Sequence, residues 1–160
     1  MKKILIFGSG FSSSYILSYL LKESLSYNWH ISVVDKNPVL AKKIFNNKNN
    51  TDILCFDVNC NEKRTKIISE SDVVYHMAGI ADISEAENDP IETVSSNILG
   101  SALVMELCSK YSARLMYGST VYVYSKHGSF YRASKQSAET LIEVFSEKRG
   151  LKYTILRYGS

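Results

Sequence analysis

The rhythm of the chain limits its fold more than any other feature. Short, unbroken apolar runs alternate with longer amphipathic stretches along all 160 residues. KILIF (Lys3 to Phe7), HISVVD (His30 to Asp35), DILCFD (Asp52 to Asp57), DVVYHMAG (Asp72 to Gly79), ARLMYGS (Ala113 to Ser119) and KYTILRY (Lys152 to Tyr158) read as six strands. Their apolar residues run on instead of alternating with polar ones, the pattern of strands buried on both faces. Helical spacing fills the intervals. SSSYILSYLLKES sets Tyr15, Leu17, Leu20 and Leu21 at helical spacing, a short helix fits Val39 to Phe45, and EKRTKIISES gives a modest one. A long helix is predicted from Pro90 to Tyr111, with the proline in its first turn. Another is predicted from Tyr131 to Arg149, with Ala138, Leu141, Ile142 and Phe145 at i, i+3, i+4 and i+7.

Strict β/α alternation predicts one α/β domain over residues 1–160, a doubly wound parallel sheet of six or so strands with helices on both faces. Such a sheet binds ligands beyond the carboxyl ends of its strands, at the switch point beside the first strand. The 45% hydrophobic and 22% charged content suits one ordinary globular domain. The net charge of +3 is scattered, with no basic run of five, so no nucleic-acid surface is expected. No stretch reaches transmembrane length, and MKKILIFGSG has too short an apolar run for a signal peptide. A cytoplasmic protein without a membrane partner is the expectation. Cys55, Cys60 and Cys108 lack C-x-x-C spacing, and His30, His76 and His127 lie far apart. Buried reduced thiols and no metal site are therefore expected.

Between the first strand and the first helix stands FGSGFSSS, a G-x-G-x-x-S pattern made by Gly8, Gly10 and Ser13. The first glycine permits a tight turn. The second lets backbone approach a pyrophosphate drawn to the helix N-terminus, and the third position, usually glycine, is a small serine. The turn residues Gly8, Gly10, Phe11, Ser12 and Ser13 are thus candidate dinucleotide contacts, which makes this a Rossmann pattern. Asp35 ends the second strand, where a carboxylate accepts hydrogen bonds from the adenosine ribose and repels a 2′-phosphate. NAD is favoured over NADP on that ground, moderated by the neighbouring Lys36. Asp57, with Val58 after it, is set to meet the adenine. Either aspartate could instead cap a turn.

In order along the chain, GSGF at Gly8, FDV at Phe56, VYHMAG at Val74, DPIETVSSNILGS from Asp89, YGSTVYVY with YRASK, and the closing LRYGS resemble the extended short-chain dehydrogenase/reductases, the nucleotide-sugar epimerase/dehydratase group. The resemblance spans essentially all 160 residues. It implies NAD as cofactor and a nucleotide sugar as substrate. It also implies a homodimer formed through the two long helices, and a substrate-binding region after strand six that this chain does not contain. The chain is then either part of a longer epimerase or oxidoreductase, or a shortened, non-catalytic NAD-binding module.

The pattern Y-x-x-x-K occurs twice, as Tyr122 with Lys126 and as Tyr131 with Lys135, and composition alone predicts roughly one such pair. The family carries its tyrosine at the start of the helix after strand five, with the lysine one turn on. Tyr131 and Lys135 fit that place, share a helix face, and have Ser129 available as a cap. VYVY reads as extended chain, where Tyr122 and Lys126 would not converge. Lys135 and the oxidised nicotinamide ring would lower the Tyr131 pKa and make it a base toward a sugar hydroxyl. The resemblance further implies that Lys135 binds the nicotinamide ribose, that Thr120 hydrogen-bonds the reacting oxygen, that Asn97 supports the lysine, and that Ala78 and Gly79 touch the cofactor. Without it, Thr120 reads as a strand-end cap and Asn97 as an exposed helix residue. His76 is assigned a structural role, and Ile98, Val104 and Met105 a place in the core. Val121 and Tyr122 follow Thr120 where the family's 4,6-dehydratases carry Asp-Glu, so epimerase or reductase chemistry is favoured over dehydration.

Overall fold

A computed structural model describes residues 1–10, 13–45 and 50–159. Among them, six strands form one wholly parallel sheet in the order β3-β2-β1-β4-β5-β6. The strands are β1 (Lys2–Phe7), β2 (Trp29–Asp35), β3 (Thr51–Cys55), β4 (Val73–His76), β5 (Arg114–Thr120) and β6 (Tyr153–Tyr158). The chain runs outward from β1 through β2 to β3, crosses back to pair β4 with the other side of β1, and continues to β6. The doubly wound α/β prediction is the observed architecture.

The central strands β1, β2, β4 and β5 behave as their composition requires, being covered on both faces, whereas the edge strands β3 and β6 carry no buried residue. Leu5 and Phe7 of β1 point into a cluster with Val74, Leu115 and Tyr117, and with side chains of α3 (Asn61–Ser69), α6 (Gly100–Tyr111) and α7 (Ser129–Arg149). Ile4 and Ile6 point the other way, into a cluster with Ile31, Val33, Leu17 and Leu20 of α1 (Ser14–Ser24), and Ala41 and Phe45 of α2 (Val39–Phe45). Each fully buried Leu, Ile or Phe contributes roughly 1.5–3 kcal/mol, and these two layers bind the sheet to the helices on either side.

Several expectations need correcting. Residues Pro90 to Tyr111 are not one regular helix: α5 (Pro90–Thr93) leads through a π-helical turn, Val94–Leu99, into α6. A further helix, α4 (Ile83–Asn88), capped by Asp82 accepting from the Glu85 amide, was not legible. VYVY is a 3-10 turn, Val121–Tyr124, and not extended chain. Ser129 is the first residue of α7 rather than its cap. Gly128, at φ 102°, stands in the cap position without a side-chain hydrogen bond. Val104 and Met105 are core, but Ile98 is only half-buried, and Tyr15 is exposed on α1. Of the cysteines only Cys108 is buried; burial pushes its thiol up to about 12, while Cys55 is exposed. No helix among the described residues is long and apolar enough to cross a membrane.

Candidate active site

The carboxyl ends of the central strands open on a cleft of about 780 Å³ whose lining includes Gly8, Gly10, Asp35, Asp57, Ala78 and Gly79. Gly8 adopts φ +91° and donates its N–H to Val34 O at 2.9 Å. A Cβ there would stand 2.6 Å from Ala78 N, so only glycine allows this turn to lie against the loop after β4. Gly10 is different. A Cβ on it would meet nothing within 4 Å, on a residue that lines the cleft, so its bare backbone leaves room for a ligand. The Ser13 hydroxyl donates to Gly8 O at 3.1 Å and to Gly10 O at 2.9 Å. The serine in the third position therefore ties the turn together where a glycine would only pack. Phe11 and Ser12 lie outside the described residues.

At the end of β2 the Asp35 carboxylate is already held. One oxygen accepts from Ser9 N at 2.6 Å and from Ser9 Oγ at 2.8 Å, and the other accepts from Asn37 N at 2.8 Å. Asp35 thus caps the following turn, as one reading had it, and also lines the cleft. Asp57 accepts from Asn59 N at 2.8 Å and pairs with Lys36 Nζ at 2.9 Å. The bond to Asp57 raises the Lys36 pKa. Partial burial pushes Asp57 up, but the Asn59 amide and Lys36 outweigh it and hold the carboxyl low. Val58 lines the same end of the cleft.

The second group of residues gathers at the end of β5. Tyr131 and Lys135 sit one turn apart on the buried face of α7, and Lys135 Nζ lies 6.0 Å from the Tyr131 ring centre and 5.0 Å from that of Tyr117. Lys135 donates to Gly118 O at 2.9 Å. Thr120 accepts from Tyr122 N at 3.2 Å and also hydrogen-bonds Tyr131. Burial drives the Lys135 ammonium down to about 8, partly opposed by Glu139. Burial also raises the Tyr131 phenol, with the Thr120 hydrogen bond pulling the other way. Burial wins over the Thr120 hydrogen bond, so in the chain by itself the phenol lies above its ordinary value and not below it. Tyr122 is part of the 3-10 turn and touches this group through its amide bond to Thr120, whereas Lys126 lies exposed beyond the turn.

Asn97 links the two groups. Its Oδ1 accepts from Ile80 N at 2.8 Å, and its Nδ2 donates to Ile80 O and to Ser134 Oγ, each at 2.9 Å. It is buried, and a Cβ on Gly79 would strike its Oδ1 at 2.5 Å. Asn97 therefore pins the Gly79–Ile80 loop of the cleft to the residue beside Lys135. Ala78 and Gly79 line the cleft. His76 is buried and structural: its Nε2 lies 3.0 Å from Ser101 Oγ, whose own proton goes to Asn97 O at 2.6 Å. Four participants escaped sequence reasoning. Ser9 hides in a variable slot of the glycine motif, and Ser134 and Arg157 act through tertiary contacts. Glu139 continues the stripe of Tyr131 and Lys135 by one more turn, a spacing that could have found it.

The architecture and the sequence have known counterparts. A UDP-N-acetylglucosamine 4-epimerase from Methanobrevibacter ruminantium superposes with a TM-score of 0.85 at 24% identity, over 98% of this chain and 54% of that one. A UDP-glucuronic acid 4-epimerase from Bacillus cereus, solved with UDP-glucuronic acid and NAD, gives 0.84 at 26% identity over 98% and 56%. A UDP-glucose 4-epimerase from Thermotoga maritima, solved with UDP-glucose, gives 0.81 at 26% identity over 98% and 55%. The chain spans about half the length of each. Residues 4–160 match the profile described as the NAD dependent epimerase/dehydratase family, and the chain belongs to that family.

Proposed function

We propose that this chain is the cofactor-binding and proton-transferring part of an NAD-dependent nucleotide-sugar epimerase, with the dinucleotide lying in the cleft over Gly8 and Gly10. The observation that carries this reading is the meeting of Tyr131, Lys135 and Thr120 at the end of β5, joined to the cleft loop by Asn97. The cleft suits the group. Gly10 leaves open space toward it, α1 begins just beyond Ser13, and Asp35 offers a carboxylate to ribose hydroxyls. Lys36, the cation nearest a 2′-phosphate, is engaged by Asp57, which favours NAD over NADP.

NAD held over Gly8 and Gly10 would supply a reversible hydride acceptor for a sugar carbon. Tyr131 takes the proton of the hydroxyl on that carbon and gives it back. Thr120 steadies the same oxygen by a hydrogen bond, and the Lys135 ammonium stabilises the phenolate. Because burial keeps the phenol protonated at neutral pH, positive charge close to it is required for the proton to leave. The substrate is a nucleotide-linked sugar, by similarity to the epimerases above.

The test has two parts. Calorimetric titration is expected to show NAD binding, with NADP weaker. Tyr131→Phe is expected to keep NAD binding while lowering the reduction of bound NAD by UDP-sugars roughly 10²- to 10⁴-fold. A chain that binds neither dinucleotide, or a Tyr131→Phe protein that turns over normally, ends this reading.

A further inference from the structure

The stripe that carries Tyr131 and Lys135 does not stop at the lysine. Glu139, one turn further along α7, is a carboxylate only 8% exposed. Arg157 of β6 grips it with both arms of its guanidinium: Nε donates to Oε1 at 3.0 Å and Nη2 to Oε2 at 2.8 Å. The same guanidinium lies 5.0 Å from the ring centre of Tyr124, in the turn that follows Thr120. From one side the glutamate is fixed by the sheet edge; from the other it faces the buried lysine.

We infer that Glu139, clamped by Arg157, is a positioning residue for Lys135, the counter-charge that keeps the buried amine protonated and in place beneath Tyr131. The groups facing Lys135 are Tyr131 and Glu139 on α7, Tyr117 on β5 and His76 on β4. Of these only Glu139 is an anion at neutral pH. Burial pushes Tyr117 and Tyr131 up, so both remain neutral phenols, and burial and Lys135 leave His76 neutral. Although burial also pulls Glu139 up, the Arg157 fork and its other partners hold it ionised. Among the described residues no carboxylate touches Lys135 Nζ, which spends its hydrogen bond on Gly118 O, so Glu139 acts through space. A neutral amine would offer the reacting phenol no positive charge. Arg157 has a second effect, because it ties the Glu139 side chain and the Tyr124 turn to one point and so fixes Lys135 and Thr120 relative to each other.

This role rests on the reading of Lys135 as the partner of the reacting phenol, but its test does not need turnover. The Lys135 amine is titrated by NMR in chain carrying carbon-labelled lysine, its resonance being the one lost in Lys135→Arg. The unaltered chain is expected to titrate at about 8. In Glu139→Gln the midpoint is expected to fall by about one unit, a tenfold loss of proton affinity. Loss of structure would move it upward, toward a free lysine, so a downward shift cannot come from unfolding. If the single variant does not fold, Glu139→Gln with Arg157→Gln places two neutral amides opposite each other and is expected to shift the midpoint the same way. In a variant that keeps its fold, a midpoint unmoved or raised overturns the proposal. Failure of the chain to bind NAD would sink the epimerase reading and leave this result standing.

Discussion

At the scale of single residues, the two glycines of the first turn have separate duties that the motif merges. Gly8 is there for the fold: its positive φ and the backbone of Ala78 at 2.6 Å leave no space for a methyl group. Gly8→Ala is expected to cost about 2 kcal/mol or more, read as a lowered unfolding midpoint, whether or not a ligand is present. Gly10 faces open space in the cleft, and on the proposed function it serves the ligand. Gly10→Ala is expected to change stability by less than about 0.5 kcal/mol, since the added methyl meets no protein atom, yet to weaken NAD binding tenfold or more, about 1.4 kcal/mol. Thermal melts and calorimetry on the two variants separate these duties. Residue types at fixed spacing made the glycines and Asp35 legible from the sequence alone. The role of Ser9 was not, because nothing in a one-dimensional string shows that its amide and hydroxyl both close on a carboxylate 26 positions away.

At the scale of elements, strands were easier to read than helix interiors. The six apolar runs became six strands, the central four because burial demands continuous hydrophobicity, and α2 appeared at its predicted ends. The Pro90–Tyr111 segment shows where such reading fails. No glycine or proline lies within the π-helical turn at Val94–Leu99, though Gly100 follows it; what accompanies it is the tertiary grip of Asn97 on Ile80 and Ser134. Widened turns of this kind recur at functional sites. Similarly, VYVY folds into a 3-10 turn because Thr120 caps it and Gln136 reaches Val123 O, contacts that strand propensity ignores. Asn97→Ala would leave the half-buried Ile80 amide without its acceptor. It is expected to cost on the order of 3 kcal/mol and to accelerate hydrogen exchange at Ile80 far more than in the centre of the sheet.

At the scale of the whole molecule, His76 makes stability depend on acidity. It lies at the junction of β4, β5 and α6, against Phe7, Tyr117 and Ser101, and burial with Lys135 nearby lowers it to about 3. The unfolded chain takes up this proton near 6.5, and the folded chain resists until about 3. Its contribution is therefore complete above 6.5 and is lost as pH falls through that window, by about 2 kcal/mol at pH 5. His76→Gln, which can still reach Ser101, is expected to flatten denaturant-derived stability against pH between 6.5 and 4, whatever its effect at neutral pH. The strand order carries a different consequence, one for biosynthesis. β1 is made before the other five strands and finds β2 soon after, but its second neighbour β4, paired through Ile4 and Val73, is made far later. Throughout that delay an Ile-Leu-Ile-Phe edge stands open to any passing strand, and aggregation of the nascent protein starts most readily there.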